Sequence, residues 1–204
     1  MKVLLVNGSP HPKGSTYTAL SEVAGALQKQ GLETEILQIG AGQVRACIAC
    51  GKCSQTHRCV FTDDVANEIM ERMESSDALV VGTPVYYAGP NGALCAILDR
   101  VFYANSNAFA QKPGAAVAVC RRGGSSAALD RLNKYFTICE MPVVSSRYWN
   151  MAHGTGPEEV KRDEEGMNTM RTLGENIAYL LQCKEKAAIP YPKHEPKQAT
   201  NFIR

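Results

Sequence analysis

The sequence has little that would indicate a membrane, nucleic-acid-binding or secreted protein. No apolar run approaches the roughly 18–20 residues that a membrane-spanning helix needs. The formal net charge is only +2, so bulk charge indicates neither nucleic acid nor an anionic membrane as a partner. The short apolar run at 3–6 ends in a glycine-containing turn, which predicts a buried strand rather than a secretory signal. We therefore expect a cytoplasmic protein.

Two common nucleotide-binding motifs are also absent. Without G-x-x-x-x-G-K-[ST] a P-loop is disfavoured, and without G-x-G-x-x-G the dinucleotide-binding fingerprint is excluded. The sequence has no convincing Ser-His-Asp or paired-carboxylate arrangement. We therefore expect no side chain to act as an obligate catalytic acid or base, and a cofactor would have to supply the chemistry.

Strand-like and helix-like segments alternate along the chain. The apolar patterns predict strands at 3–6, 32–39, 78–82, 114–120 and 141–145, and helices at 17–30, 64–75, 92–103, 125–138 and 157–182. Several strands are apolar on both faces, which is typical of a parallel sheet covered by helices on each side. We predict a flavodoxin-like, doubly wound three-layer α/β/α fold with five strands in the order 2-1-3-4-5.

The predicted fold implies a simple domain organisation. We expect one flavodoxin-like domain over 1–183, with a cysteine-containing insertion at about 44–62. The last segment, 184–204, contains three prolines and cannot continue a helix through them. It is predicted to be a tail, or an arm packed on the surface or on a partner subunit.

The turn after the first predicted strand has the composition of a phosphate site. Hydroxyls at Ser9, Ser15 and Thr16 precede or open the first helix, whose N-terminus offers free N–H groups and a positive dipole. The alternative is an ordinary polar turn with a serine N-cap.

Two further loops follow predicted strands at the same edge of the sheet. Segment 83–92 contains Tyr86 and Tyr87, whose rings could face a flat cofactor, and segment 120–125 contains Arg121 and Arg122. These arginines would place positive charge where a reduced flavin carries negative charge. The alternative is a hydrophobic loop and a solvated pair of arginines, but three compatible loops at one edge favour a flavin site.

The motifs in combination resemble the NADPH-dependent FMN reductase family. They are Asn-Gly-Ser-Pro…Gly-Ser-Thr at 7–16, Thr-Pro-Val-Tyr-Tyr at 83–87, Leu-Asp-Arg at 98–100 and Arg-Arg-Gly-Gly at 121–124. The resemblance covers about 1–183 and implies FMN as cofactor, NAD(P)H as reductant, and a homodimer or homotetramer with flavin sites near subunit interfaces. Cys95 departs from the family pattern, because many relatives carry lysine there.

The resemblance also implies which residues bind FMN. Those expected at its phosphate end are Ser9, Pro10, Lys13, Gly14, Ser15 and Thr16. Those expected around the isoalloxazine ring are Pro84, Val85, Tyr86, Tyr87, Ala88, Gly89, Cys120, Arg121, Arg122, Gly123 and Gly124. His153 has two open roles, either at a flavin site, including a neighbour's, or in surface packing.

The eight cysteines fall into two groups. Four are scattered in apolar surroundings and are expected to be small core residues: Cys95, Cys120, Cys139 and Cys183. The others have the spacing C-x2-C-x2-C-x5-C: Cys47, Cys50, Cys53 and Cys59. Structural zinc usually uses two separated pairs, whereas such a compact run is typical of iron–sulfur ligation. His57 is an alternative ligand within the loop.

This spacing, inserted between the second and third strands, resembles the iron–sulfur flavoprotein family. The resemblance implies that the four loop cysteines ligate a [4Fe-4S] cluster near FMN. Free thiols in a plain FMN reductase and a zinc site are the alternatives.

The sequence therefore predicts an FMN-dependent oxidoreductase, reduced by NAD(P)H or by a carrier protein, with a small-molecule or protein electron acceptor. An electron-transfer flavoprotein that shuttles between protein partners is the main alternative. A redox or metal sensor built on a flavin-binding scaffold is a third.

Overall fold

The computed structural model describes residues 1–196, 198 and 200, which form one doubly wound α/β unit. Its elements, in chain order, are β1 (Lys2–Asn7), α1 (Ser15–Lys29), β2 (Glu33–Gln38), α2 (Cys53–Thr56), α3 (Ala66–Glu74), β3 (Ala78–Tyr86), β4 (Gly89–Pro90), α4 (Gly92–Asn105), β5 (Gly114–Cys120), α5 (Ser125–Ile138), β6 (Met151–His153), α6 (Pro157–Arg162) and α7 (Glu164–Ala187). A single 3-10 turn, Ser106–Ala108, follows α4.

Five parallel strands make the main sheet, in the order β2-β1-β3-β5-β6. In the centre, Leu5 of β1 is paired with Ile36 of β2 and with Val80 of β3. The two-residue strand β4 pairs antiparallel with the end of β3 and forms a hairpin that the sequence pattern did not predict. The predicted flavodoxin-like fold class and three-layer architecture are confirmed.

The prediction of a fifth strand at 141–145 is wrong. Only Val143 forms a bridge there, to Gly114, and the strand that completes the sheet is Met151–His153. Between them the chain leaves the sheet in a loop at 145–150. Asn150 closes this loop by donating its side-chain amide to the Val144 carbonyl at 3.3 Å. The chain therefore contacts β5 at two separate places, the single bridge at Val143 and the short strand β6.

The predicted last helix at 157–182 is also two helices. Asp163 has a non-helical backbone and accepts a hydrogen bond from the Gly166 N–H at 2.9 Å, which makes it the N-cap of α7. Helix α7 continues to Ala187, beyond the predicted end. The described residues after Ala187 have no helix or strand, and the division into a domain and a tail stays a prediction.

Helices cover both faces of the sheet. One face buries side chains of α3, α4 and α5, including Met70, Ile97 and Leu132. The other buries side chains of α1 and α7, including Leu20 and Leu173. The sheet is therefore apolar on both sides, as a doubly wound fold requires. In the described part of the chain, none of the helices has the length and apolar character that crossing a bilayer would demand.

Candidate flavin and cysteine sites

The turn after β1 is held in one conformation by hydrogen bonds among its own groups. The Ser9 side chain is buried, and its hydroxyl accepts a hydrogen bond from the His11 N–H at 3.1 Å. The Ser9 N–H donates to the Asn7 side chain at 3.2 Å, and its carbonyl accepts from the Gln38 amide at 2.5 Å. Asn7 and Gln38 also hydrogen-bond to each other. The turn is therefore preorganised between β1 and β2.

Thr16 lies in the first turn of α1 with a buried hydroxyl that has no hydrogen-bond partner among the residues that the structure describes. The helix starts after Gly14, which supplies no side-chain cap, so its first N–H groups also need acceptors. A buried hydroxyl without a partner costs about 1–3 kcal/mol. A phosphate at this position would satisfy the hydroxyl and the free N–H groups together.

The remaining predicted phosphate ligands surround this position. Ser15 and Pro10 are half-buried, while Lys13 is exposed on the turn. The structure thus brings the six predicted residues into one turn and the first helical turn, which offers hydroxyl, amide and ammonium donors.

The second predicted loop is the hairpin of β3 and β4. Its tip residues, Tyr87 and Ala88, have φ angles of 50° and 59°, which turn the chain back on itself. Tyr87 is fully exposed and Tyr86 about half exposed, while Pro84 and Val85 are half-buried. The hairpin therefore presents aromatic and apolar surface beyond the carboxyl end of the sheet.

The third predicted loop packs against this hairpin. Gly124 has a φ of 91°, and a Cβ atom built on it would lie 2.7 Å from Cα of Ala88. Cys120 is buried at the end of β5, whereas Arg121, Arg122 and Gly123 are exposed. A positive φ and this close approach both require glycine at position 124.

Asn91 links the hairpin to the phosphate turn. Its amide donates to the Gly8 carbonyl at 2.8 Å, and its side-chain oxygen caps α4 by accepting from the Ala93 N–H at 3.0 Å. Sequence reasoning missed Asn91, although an asparagine before a helical pattern is an N-cap signal. It also gave no role to Gln38 or to Asn7, although Asn7 opens the quoted motif at 7–16 and is a polar residue ending a buried strand.

His153 ends β6 beside the third loop, in register with Cys120. Its backbone N–H donates to the Asp163 carboxylate at 2.7 Å, and its Nδ1 lies 3.6 Å from the same oxygen. The structure thus places the backbone and ring of His153 against Asp163, beside the loop at 120–125, and both predicted roles stay open.

The four loop cysteines line one pocket. Cys47, Cys50, Cys53 and Cys59 are free thiols that face it together with residues of α4, and His57 does not line it. Ala49 and Gly51 have φ angles of 53° and 73°, which wrap the loop tightly. In residues 1–196, 198 and 200, no group of three or more histidine, cysteine, aspartate or glutamate side chains is arranged to hold a metal ion.

Cys59 is held in place by hydrogen bonds to its backbone and to its thiol. Its backbone N–H donates to the Asn67 side chain at 2.8 Å, and its carbonyl accepts from the Asn67 amide at 3.0 Å. Its Sγ accepts from the Arg100 guanidinium at 3.6 Å. Burial lowers the pKa of Arg100, but hydrogen bonds to Asp64 and Cys59 outweigh that effect and leave the pKa raised.

The scattered cysteines only partly match their prediction as core residues. Cys120 and Cys139 are buried, and Cys95 is half-buried, where burial raises the pKa of its thiol. Cys183 is exposed on α7, so its assignment to the core is wrong. It falls on the solvent side because α7 buries the stripe that contains Ile177 and Leu181.

Comparison with known proteins agrees with this geometry. Residues 1–156 match the family described as NADPH-dependent FMN reductase. An iron-sulfur flavoprotein of Methanocaldococcus jannaschii is 31% identical over 198 residues, which cover 91% of this chain and 100% of the relative.

Solved structures share the fold. An NADH:FMN oxidoreductase in its apo form superposes with a TM-score of 0.66 and 16% identity, covering 88% of this chain and 89% of the other. A flavodoxin from the domain Archaea gives a TM-score of 0.61 and 13% identity, covering 89% and 99%. At these identities the two likenesses show the fold alone.

Proposed function

Because the chain belongs to the NADPH-dependent FMN reductase and iron–sulfur flavoprotein family, we propose that it takes electrons from NADH, NADPH or a reduced carrier protein. It passes them to a small-molecule or protein acceptor. Family membership makes the chain a reductase-like, FMN-dependent oxidoreductase. Bound FMN supplies the redox chemistry, and the protein supplies position and electrostatics.

The observation that carries the proposal is the buried Thr16 hydroxyl without a partner. It lies at the N-terminus of α1 and beside the rigid turn that contains Ser9. Oxygen-rich anions are the ligands that such a helix terminus prefers. In the proposal, Thr16 and Ser15 donate their hydroxyls to the FMN phosphate, and Lys13 adds a positive charge from the exposed side of the turn.

The two other loops are proposed to hold the flavin ring. The β3–β4 hairpin would contribute Tyr86 and Tyr87 as aromatic surface. The loop after β5 would contribute backbone N–H groups and the charges of Arg121 and Arg122, which stabilise the anion that reduction creates. The contact between Gly124 and Ala88 supports this assignment, because it fixes the spacing of the two loops.

The cysteine loop is proposed to hold a [4Fe-4S] cluster, which supplies one-electron chemistry when bound. Its donor set has the right chemistry, since four free thiols line one pocket, although the described residues do not gather them into a group arranged around a metal ion. All four come from a single compact run rather than from the two separated pairs typical of structural zinc. Pocket residue Arg100 lies on α4, the helix that starts next to the flavin hairpin, about 12 Å along its axis from Gly92.

We also propose a cytoplasmic homodimer or homotetramer. The fully exposed Tyr87 at the flavin hairpin supports an interface there, because a partner subunit would cover its ring. Light scattering after gel filtration tests the assembly, and a monomer at micromolar concentration would contradict it.

Anaerobic purification tests the cofactors. The visible spectrum should contain separate flavin and iron–sulfur bands, with about one FMN and close to four iron and four sulfide per chain, the content of one [4Fe-4S] cluster. A content below one iron per chain after reconstitution would contradict the cluster and leave the flavin assignment intact.

Steady-state oxidation of NADH and NADPH tests the activity. Turnover should be seen with quinones, nitro compounds or ferricyanide as acceptors. If no acceptor supports turnover while chemically reduced protein exchanges electrons with a protein partner, the chain is an electron shuttle.

A further inference from the structure

Arg100 contacts a cysteine of the pocket although it is distant in sequence. Its Nη1 donates to Sγ of Cys59 at 3.6 Å, across 41 positions of the chain. It belongs to the Leu-Asp-Arg motif at 98–100, to which sequence reasoning gave no role. We propose that Arg100 is a positioning residue that raises the reduction potential of the cluster held by Cys59. This inference rests on the proposed [4Fe-4S] cluster.

The guanidinium is buried and fixed in orientation. The side chain of Arg100 is 1% exposed, and its Nη2 pairs with the carboxylate of Asp64, which is 5% exposed. Its Nε donates to the Ala96 carbonyl at 3.3 Å, one turn earlier on α4. Together with the contact to Cys59, these hydrogen bonds use all three nitrogens of the guanidinium. The orientation of the group is therefore fixed, with Nη1 directed at the Cys59 sulfur.

Asn67 holds Cys59 in a different way. It bonds only the backbone of Cys59 and, at 3.0 Å, the carbonyl of Phe61. Loop position and sulfur electrostatics therefore depend on different side chains, and mutation can separate the two effects.

The effect on the potential follows from charge. Cluster reduction adds one electron and no proton, so the reduced form is more negative than the oxidised form. A hydrogen bond from a cation to a ligating sulfur stabilises the more negative form and raises the potential. Burial strengthens the effect, because water screens the interaction less.

The other arginines near the loop are placed differently. Arg58 is next to Cys59 in sequence, but it is 36% exposed and pairs with Glu74 at 2.7 Å. Arg45 is 54% exposed and pairs with Asp63. Within the part of the chain that the structure describes, Arg100 is the charged side chain that donates to a loop thiol.

Two variants of the full-length, reconstituted protein test the inference. Arg100→Lys keeps the positive charge, but an ammonium group lacks the planar set of N–H donors with which the guanidinium binds Asp64 and Cys59 together. The double variant Arg100→Met/Asp64→Leu replaces the buried pair with apolar side chains of similar size, which avoids an unpaired buried charge. Potentials are measured anaerobically by dithionite titration with mediators, following the electron paramagnetic resonance signal of the reduced cluster.

Both variants should keep iron and sulfide close to wild-type content. In the double variant the equilibrium constant for one-electron reduction should fall about tenfold, which is about 59 mV, and in Arg100→Lys, which keeps the charge, it should fall by less. The control Arg58→Met removes an exposed charge and should change the constant less than twofold. Asn67→Ala should lower the retained iron without changing the potential.

Four outcomes would overturn the inference. The potential could be unchanged in both Arg100 variants, or Arg58→Met could shift it equally, which would indicate general electrostatics. Both Arg100 variants could instead lose the cluster that Asn67→Ala keeps, which would make Arg100 a structural anchor alone. Less than one iron per chain in the reconstituted wild type would instead refute the cluster itself, together with this role.

Discussion

Gly124 packs so closely on Ala88 that the two predicted flavin loops share one backbone contact. A Cβ atom at position 124 would lie 2.7 Å from Cα of Ala88 and 3.2 Å from Cγ1 of Val85, and the φ angle of Gly124 is 91°. The hairpin after β3 and the loop after β5 therefore fix each other's positions. A substitution that moves one loop should therefore also move the other.

Gly124→Ala should destabilise the protein and weaken FMN binding. The left-handed backbone and the contact with Ala88 together predict a loss of about 1–3 kcal/mol in the free energy of unfolding. Urea denaturation measures this loss, and fluorescence titration measures FMN affinity. Gly123→Ala is the control for stability, because a Cβ there meets no atom within 4 Å. Equal stabilities for the two variants would contradict the role of the contact.

Thr16→Val should weaken FMN binding without destabilising the FMN-free protein. The hydroxyl has no partner in the described part of the chain, so its removal breaks no hydrogen bond there, whereas a lost hydrogen bond to a charged phosphate costs about 1.5–3 kcal/mol. The expected change is an increase of about 10- to 100-fold in the dissociation constant, measured by isothermal titration calorimetry.

Thr18→Val is the matched control for Thr16. The Thr18 hydroxyl donates to the Gly14 carbonyl at 3.2 Å and is satisfied within the helix. Its removal should leave FMN affinity unchanged. If Thr16→Val bound FMN as tightly as wild type, the phosphate position would be wrong.

Thiol labelling should distinguish the cysteines by exposure and by pKa. In cluster-free protein, iodoacetamide should modify the exposed Cys47, Cys50 and Cys183 first, because the reagent can reach them. The thiolate is the form of each cysteine that reacts. Burial raises the pKa of Cys95, so less of it is thiolate at neutral pH, and its labelling should increase as the solution is made more alkaline. Mass spectrometry of peptides follows each site.

The same experiment on cluster-containing protein has Cys183 as an internal control. Ligation should protect Cys47, Cys50, Cys53 and Cys59, while Cys183 on α7 should react as before. Loop cysteines that remain as reactive as Cys183 in iron-containing protein would place the iron elsewhere.

Asp163→Ala should destabilise the protein by about 2 kcal/mol or more, because the carboxylate both caps α7 and accepts from the His153 N–H. Thermal and urea denaturation measure the effect. Glu175→Ala, an exposed site on the same helix, should change stability by less than about 0.5 kcal/mol. If Asp163→Ala behaved like that control, the link from β6 to α7 would carry no stability.

The central fold was predictable because its strands are buried on both faces. Val3–Val6 and Gly114–Cys120 are short apolar runs between turn residues, which is typical of strands inside a parallel sheet, and both are buried. The edge was not predictable, because Met141 and Val144 are buried without forming a strand. The true edge strand has three residues and ends in His153, too short for its periodicity to be read.

The candidate sites also have features that the sequence predicts and contacts that it does not. The placement of the predicted flavin loops at one edge of the sheet followed from the alternation of strands and helices, and the cysteine loop was recognisable by its spacing. The contacts that join them are not local. Asn91 reaches Gly8 across 83 positions and Arg100 reaches Cys59 across 41, and a pattern within one segment does not encode either pairing.

The short edge strand β6 affects how this protein can associate with other chains. A long, flat edge strand offers a row of unpaired backbone groups that can recruit a strand from a neighbour. Here one edge of the sheet is the three-residue β6 beside the loop at 145–150, and the other, β2, carries Glu33 and Glu35. Both edges therefore oppose strand-to-strand aggregation, and any association between copies of this chain should use helices and loops instead.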